Sequence, residues 1–88
     1  SVYGIFIDAV GNIYGADGNN HQILKWTPGN TVGQVVAGGN GYGQKANQLW
    51  NPRDVFVDAT GNIFIADTEN HRIQKWKLFK FRLFENIK

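Results

Sequence analysis

One stretch of this chain occurs twice, and the spacing of its two copies limits the fold more than any other feature. Residues 5–26 return as residues 55–76, fifty positions later, with thirteen of the twenty-two residues identical. The shared residues include Asp8/Asp58, Gly11/Gly61, Asn12/Asn62, Asp17/Asp67, Asn20/Asn70, His21/His71 and Trp26/Trp76. A period of about 50 residues belongs to arrays in which one small supersecondary unit stacks on the next. Residues that recur in every unit are explained first by what every unit must do, which here is to turn and to pack.

Each copy reads as short strands joined by tight turns. Residues 5–8, 13–16, 22–26 and 31–37 are the expected strands of the first unit, and 54–58, 62–66 and 72–76 those of the second. Between strands, Asp8 and Asp58 are placed to accept turn N–H groups, and Gly11 and Gly61 to supply a positive φ. The next turn, at 17–21, is dense in residues that tolerate left-handed backbone. Residues 38–52 are rich in Gly, Asn and Gln and connect the two units. Both sides of the pleat are apolar in Val55-Phe56-Val57 and Ile63-Phe64-Ile65, so these strands need cover on both faces. No segment has a helical period of useful length. Small sheets covered on both faces and repeated in series are the blades of a β-propeller.

The shared pattern, apolar-Asp-x-x-Gly-Asn-Ile-aromatic-x-Ala-Asp-x-x-Asn-His-x-Ile-x-Lys-Trp, resembles the NHL repeat, with Asn20-His21-Gln22-Ile23 and Asn70-His71-Arg72-Ile73 as its core. The resemblance covers about residues 3–76. It implies an all-β chain of about two four-stranded antiparallel blades, an incomplete ring, since the family closes rings of about six such blades. The boundaries read as 1–50 for the first blade with its connector, 51–76 for an incomplete second blade, and 77–88 for a divergent basic and aromatic tail. Gly15 stands where the second copy has Ile65, a thin spot in the first blade. Arg53-Asp54 lacks the glycine of Tyr3-Gly4. In the tail, Phe79, Phe81 and Leu83 fall on one side if extended, with Lys80 and Arg82 on the other. That suits a substitute outer strand or frayed end, and less well an amphipathic membrane-surface segment.

Composition narrows the function classes. The chain has 88 residues, no cysteine and a net charge of +2. Without cysteine there is neither a disulfide framework nor a thiolate zinc site. Residues 1–50 sum to zero charge, residues 51–76 to −1 and residues 77–88 to +3. The basic balance thus lies in the tail, which weakens a nucleic-acid reading of the repeated body. No apolar run approaches the ~20 residues of a membrane span. The start lacks the basic region of a signal peptide, and the absence of an initiator Met suggests a fragment or a processed chain. No Asn-x-Ser/Thr acceptor is present. A chain this short buries only about 60–65% of its unfolded surface, and two blades leave two outer sheet faces bare. The isolated chain is therefore expected to self-associate, to need further blades, or to fold loosely.

Several motifs have a chemical reading beside the structural one. His21 and His71 are the only histidines, and a metal would need both to converge with a third ligand. Equivalent turn positions favour a role in knitting the turns, together with Asn20/Asp17 and Asn70/Asp67, by side-chain to backbone hydrogen bonds. The carboxylates Asp8/Asp58 and Asp17/Asp67 recur in each unit, whereas a glycosidase needs one unlike pair on a single cleft. Gly41-Tyr42-Gly43-Gln44-Lys45-Ala46 fits Gly-x-Gly-x-x-Ala formally, but leaves no room for the helix that a nucleotide site requires. A flexible loop between blades is the expectation there. Trp26 and Trp76, being equivalent, should pack blade on blade. Trp50, in the connector, is open to packing or to a partly exposed contact. Ser1 is the only serine, and no nucleophile constellation exists.

No catalytic residue, cofactor or metal site is assigned. The resemblance implies a non-enzymatic scaffold whose rim loops contact a partner, most readily a protein, with RNA weakly supported. Tyr3 and Arg53, just before each first strand, and Trp50 are the candidate contacts, with Arg53 as a charge-assisted donor. The same family includes two alternatives. One is the substrate-recruiting propeller of a tripartite-motif-type ubiquitin ligase, which needs zinc domains elsewhere. The other is a zinc-dependent lyase of amidated-peptide precursors, which needs His ligands converging from several blades.

Overall fold

The computed structural model describes residues 1–77 and 83–87. It contains eight strands: β1 (Val2–Ile7), β2 (Ile13–Asp17), β3 (Gln22–Trp26), β4 (Gln34–Gly38), β5 (Pro52–Val57), β6 (Asn62–Asp67), β7 (Arg72–Lys77) and β8 (Leu83–Ile87). They form two four-stranded antiparallel sheets, each with its strands in sequence order. The fold is all-β, as the repeat requires. A single 3-10 turn lies between β2 and β3, and another between β6 and β7.

The turns form for the reasons the sequence supplies. Asp8 Oδ1 accepts the N–H groups of Val10 (3.1 Å) and Asn12 (2.9 Å), and Asp58 Oδ1 those of Thr60 (3.0 Å) and Asn62 (2.9 Å). Gly11 and Gly61 close these turns at φ 94° and 89°, where a Cβ is strained. In the following turn the left-handed residue is the histidine itself, at φ 56° for His21 and 52° for His71. Histidine is among the few side chains enriched there.

The core lies between the sheets. Tyr14, Ala16, Ile23, Val36 and Ala37 of the first sheet meet Val55, Val57, Ile63, Ile65 and Trp76 of the second, with Leu49 of the connector among them. Ile23, Ile63 and Ile65 are fully buried, and each such side chain stabilises the fold by about 1.5–3 kcal/mol. Only one face of each sheet is covered. Ile5 and Ile7 on one outer side, and Phe56 and Ile73 on the other, stay exposed. The apolar pattern on both faces is thus met on one side only, as expected for two blades alone.

Two details depart from the sequence expectation. β4 begins at Gln34 instead of Thr31, and Gly33 just before it lies against the Trp26 ring, where a Cβ would come 2.8 Å from Cε2. The thin spot at Gly15 is also filled: its missing side chain leaves space taken by Val2 and the Trp26 ring. Trp26 therefore lies on the outer side of its own sheet, half-buried, while Trp76 is sealed between the sheets. Of the tail, β8 pairs along β7 from Ile73↔Ile87 to Lys77↔Leu83. It supplies the strand that the repeat lacks. The arrangement expected of Phe79, Phe81, Lys80 and Arg82 lies outside the described residues. Among the described residues no helix is long and apolar enough to cross a membrane.

The position of the core sets a simple contrast. Ile63→Ala should destabilise the chain by about 2–5 kcal/mol, whereas Val32→Ala, at a residue 76% exposed, should stay within ~0.5 kcal/mol. Urea denaturation followed by tryptophan fluorescence reads both.

Candidate functional site

The candidate contacts gather on one rim, where the β2–β3 turn, the connector 39–51 and the starts of β1 and β5 meet. Both starting strands bulge there. The register slips between Val2 and Ile5 in β1, and between Pro52 and Asp54 in β5. A bulge re-aims the extra side chain, and the slipped segments hold Tyr3 and Arg53. The Arg53 guanidinium lies over the Tyr3 ring at 4.5 Å, a cation–π contact worth about 0.5–1 kcal/mol at an exposed site. Tyr3 also covers Gly18, where a Cβ would meet its ring.

Beside this pair stands a cluster of tilted aromatic rings. Trp50 and Tyr42 have ring centroids 4.9 Å apart, and Tyr42 and His21 5.4 Å. Tyr42 is 61% exposed, while Trp50 is half-buried, both packed and partly accessible. The structure thus brings Tyr3 onto Arg53 and adds Tyr42 to Trp50. Tyr42 was not singled out from sequence, although an aromatic between two glycines in a polar connector is an available signal.

The repeated polar residues serve the frame. Asp67 Oδ1 accepts the Trp50 N–H (2.7 Å), and Oδ2 accepts from Asn70 Nδ2 (2.8 Å) and Arg72 Nε (2.8 Å). Asp17 Oδ2 accepts in the same way from Asn20 and Gln22, each at 2.9 Å. Burial pushes the Asp17 carboxyl up, but these donors and the nearby terminal ammonium outweigh it and leave it below the usual carboxylate range. His21 does not knit its own turn through its side chain. Its Nδ1 accepts the Asn51 N–H at 3.0 Å and so ties the first blade to the start of the second. His71 is exposed.

The connector is pinned, contrary to the flexible loop expected there. Arg72 Nη1 donates to Gln44 O (2.9 Å), and Nη2 to Lys45 O (3.0 Å) and Gln48 O (2.8 Å). Asn70 Nδ2 donates to Gly43 O (2.7 Å), and Gln74 Nε2 to Ala46 O. Five connector carbonyls are thereby satisfied by Asn70 of the β6–β7 turn and by Arg72 and Gln74 of β7. Arg72 is not among the residues the two units share, since its twin is Gln22, so the repeat pattern does not mark it. Its signal in the sequence is the exchange of a neutral Gln22 for a cation at the same place in the second unit.

On the opposite rim, Phe6, Ile7, Tyr14 and Val57, with the Asp8 and Asp58 turns, line a cavity of about 460 Å³. Both carboxylates border it, yet both are engaged by their own turns. The Asn62 side chain, then its main-chain N–H, holds Asp58 at about 2, and the Asn12 side chain lowers Asp8 likewise. Carboxylates so held are poor proton donors near neutrality. Among the described residues no three His, Cys, Asp or Glu side chains are grouped to hold a metal ion.

Two small antiparallel sheets, related by a sequence repeat and stacked face to face, make this a blade-repeat protein of the β-propeller kind. Residues 49–76, about a third of the chain, match the model of the NHL repeat. The match falls on the second copy, and the first follows it through the thirteen identities. No curated protein matches the chain.

Two expected outcomes follow from the frame. A depressed carboxylate stabilises the fold fully above its unfolded value of ~3.9 and loses that contribution as pH falls through its folded value. Melting temperature should therefore drop between about pH 4 and about 2, and less steeply in Asp58→Asn than in the wild type; parallel curves would deny Asp58 this role. Separately, Arg72→Ala leaves the fully buried Asp67 without its cation and should cost about 3–5 kcal/mol in urea denaturation. Arg72→Gln should lose less, since Gln22 already serves Asp17.

Proposed function

We propose that the chain is a non-enzymatic scaffold that binds a protein partner through the rim bearing Tyr3, Tyr42, Trp50 and Arg53. The observation that carries this is the pre-assembled pair of contacts: Arg53 over Tyr3 at the starts of β5 and β1, and Tyr42 against Trp50 on a connector held by Arg72. Tyr, Trp and Arg dominate interface energetics, and side chains already held in place lose little freedom on docking. A protein surface suits the rim better than RNA, because residues 1–76 carry a net charge of −1 and a nucleic-acid footprint is strongly basic.

The two alternative activities gain no specific support. A lyase site would draw on histidines from neighbouring blades, but His21 Nδ1 is held by the Asn51 main chain. A ligase role rests on zinc domains that these 88 residues do not contain.

The test compares the wild type with the double variant Tyr42→Ala/Arg53→Glu, both immobilised, in capture from a lysate followed by mass spectrometry and affinity measurement on the captured protein. The variant should keep the wild-type circular dichroism and lose affinity by about 30-fold or more, the loss of one strong contact of ~2 kcal/mol. Equal capture by a folded variant would overturn the reading.

A further inference from the structure

A cavity of about 460 Å³ lies on the rim opposite Tyr3 and Arg53, and the function proposed above makes no use of it. Phe6 and Tyr14 of the first sheet, Val57 of the second, and the turns that begin at Asp8 and Asp58 line it. Tyr14 and Val57 belong to the core and Phe6 packs against it, so the cavity sits where the two sheets meet, not on an outer face. Phe6 stands edge-on to Phe56 with ring centroids 5.0 Å apart, which fixes the apolar wall. Small-molecule sites have this size and this balance of apolar lining with a few placed polar groups.

Three polar groups border the cavity with acceptor capacity to spare. The first is the Tyr14 hydroxyl. Tyr14 is 3% exposed, and its one polar contact among the described residues is with Lys25, whose Nζ lies 5.6 Å from the ring centroid. No hydrogen bond reaches the hydroxyl there. Buried tyrosine hydroxyls normally have a partner, so this one points to an occupant of the cavity. The other two groups are Asp8 and Asp58. In each, Oδ2 takes a single side-chain donor, Asn12 or Asn62 at 2.9 Å, and retains a lone pair. Those same amides hold both carboxyls below their usual range, so both are charged near neutrality. Among the described residues no ion pair neutralises either one.

We infer that this cavity binds a small organic cation, a primary ammonium on an apolar body, with the ammonium among Asp8, Asp58 and Tyr14 and the body against Phe6 and Val57. An ammonium carries three donors and no acceptor, which matches three open acceptors. An anion would meet two negative charges, and a neutral ligand would cover them without pairing them. The turns keep their structural task, because the ligand uses only lone pairs that the turn amides leave open. The site is separate from the aromatic rim that meets a protein partner, so either reading can fail alone.

The experiment titrates phenethylamine into the full 88-residue chain near neutral pH and follows backbone amide shifts by NMR. Phenethyl alcohol and Nα-acetyl-lysine amide are the comparisons. The amine should bind with a Kd of about 1 mM or below. It should move the amides of Val10, Asn12, Thr60 and Asn62, which sit on the two carboxylates. The alcohol lacks the charge, and the lysine amide carries its ammonium on a plain chain, as a protein's lysine would. Each should bind about 10-fold more weakly. Tyr14→Phe has no hydrogen bond to lose, so it should keep the wild-type melting temperature and weaken the amine by about 3-fold or more. Asp8→Asn/Asp58→Asn keeps an oxygen for the turn amides and should weaken the amine by about 10-fold or more. If that double variant unfolds, Tyr14→Phe and the alcohol still decide the matter. No shift up to about 10 mM amine, equal binding of either comparison, shifts remote from the two turns, or unchanged affinity in a folded variant would overturn the inference.

Discussion

The contact between the two sheets carries the rest of the structure. Each sheet is four short strands, and short antiparallel sheets are at best marginal until a face is covered. Here Ile63, Ile65 and Trp76 lose nearly all contact with water only because Tyr14, Ala16 and Ile23 lie opposite. Leu49 completes the seal from the connector, which explains why that polar, glycine-rich segment contains a fully buried leucine. The rim is positioned by this packing. Tyr3 and Arg53 begin the two innermost strands, so stacking one sheet on the other brings the guanidinium over the ring.

The polar frame has a separate physical task. Backbone groups at turns and in a packed connector must find partners, and one carboxylate per turn meets several of these needs. Asp67 is the fullest case: its two oxygens take three donors, from the connector, the turn and β7. An ion pair so buried gives little net stability by itself. Its role is to fix where the connector lies, and with it Tyr42 and Trp50. The carboxylates that a search for acid–base chemistry picks out first are thus occupied with architecture. The accessible aromatic groups of this rim are Tyr3, Tyr42 and the partly exposed Trp50, with Arg53 over Tyr3.

Much of this could be read from the chain before any fold was known. The fifty-residue period, the apolar runs on both sides of the pleat and the Asp-x-x-Gly-Asn turns define the strands and their order, because each is a local property of a few consecutive residues. The turn roles of Asp8, Gly11, Asp58 and Gly61 follow from side-chain reach and backbone φ alone. The NHL pattern, found in residues 49–76, is made of those same local requirements.

What only the tertiary structure decided are the relations between residues far apart in sequence. The side of its sheet on which a tryptophan ends up depends on whether another sheet is there to meet it, so Trp26 and Trp76 differ in burial despite equivalent positions. The pinning of the connector depends on Arg72, which lies more than twenty residues from each carbonyl it holds. His21 reaches across to Asn51, and Arg53 to Tyr3, because two sheets stack and two strands bulge. Sequence determines a unit when its forces act within a turn or a strand; the rim is a product of how two units meet, and that was settled by packing.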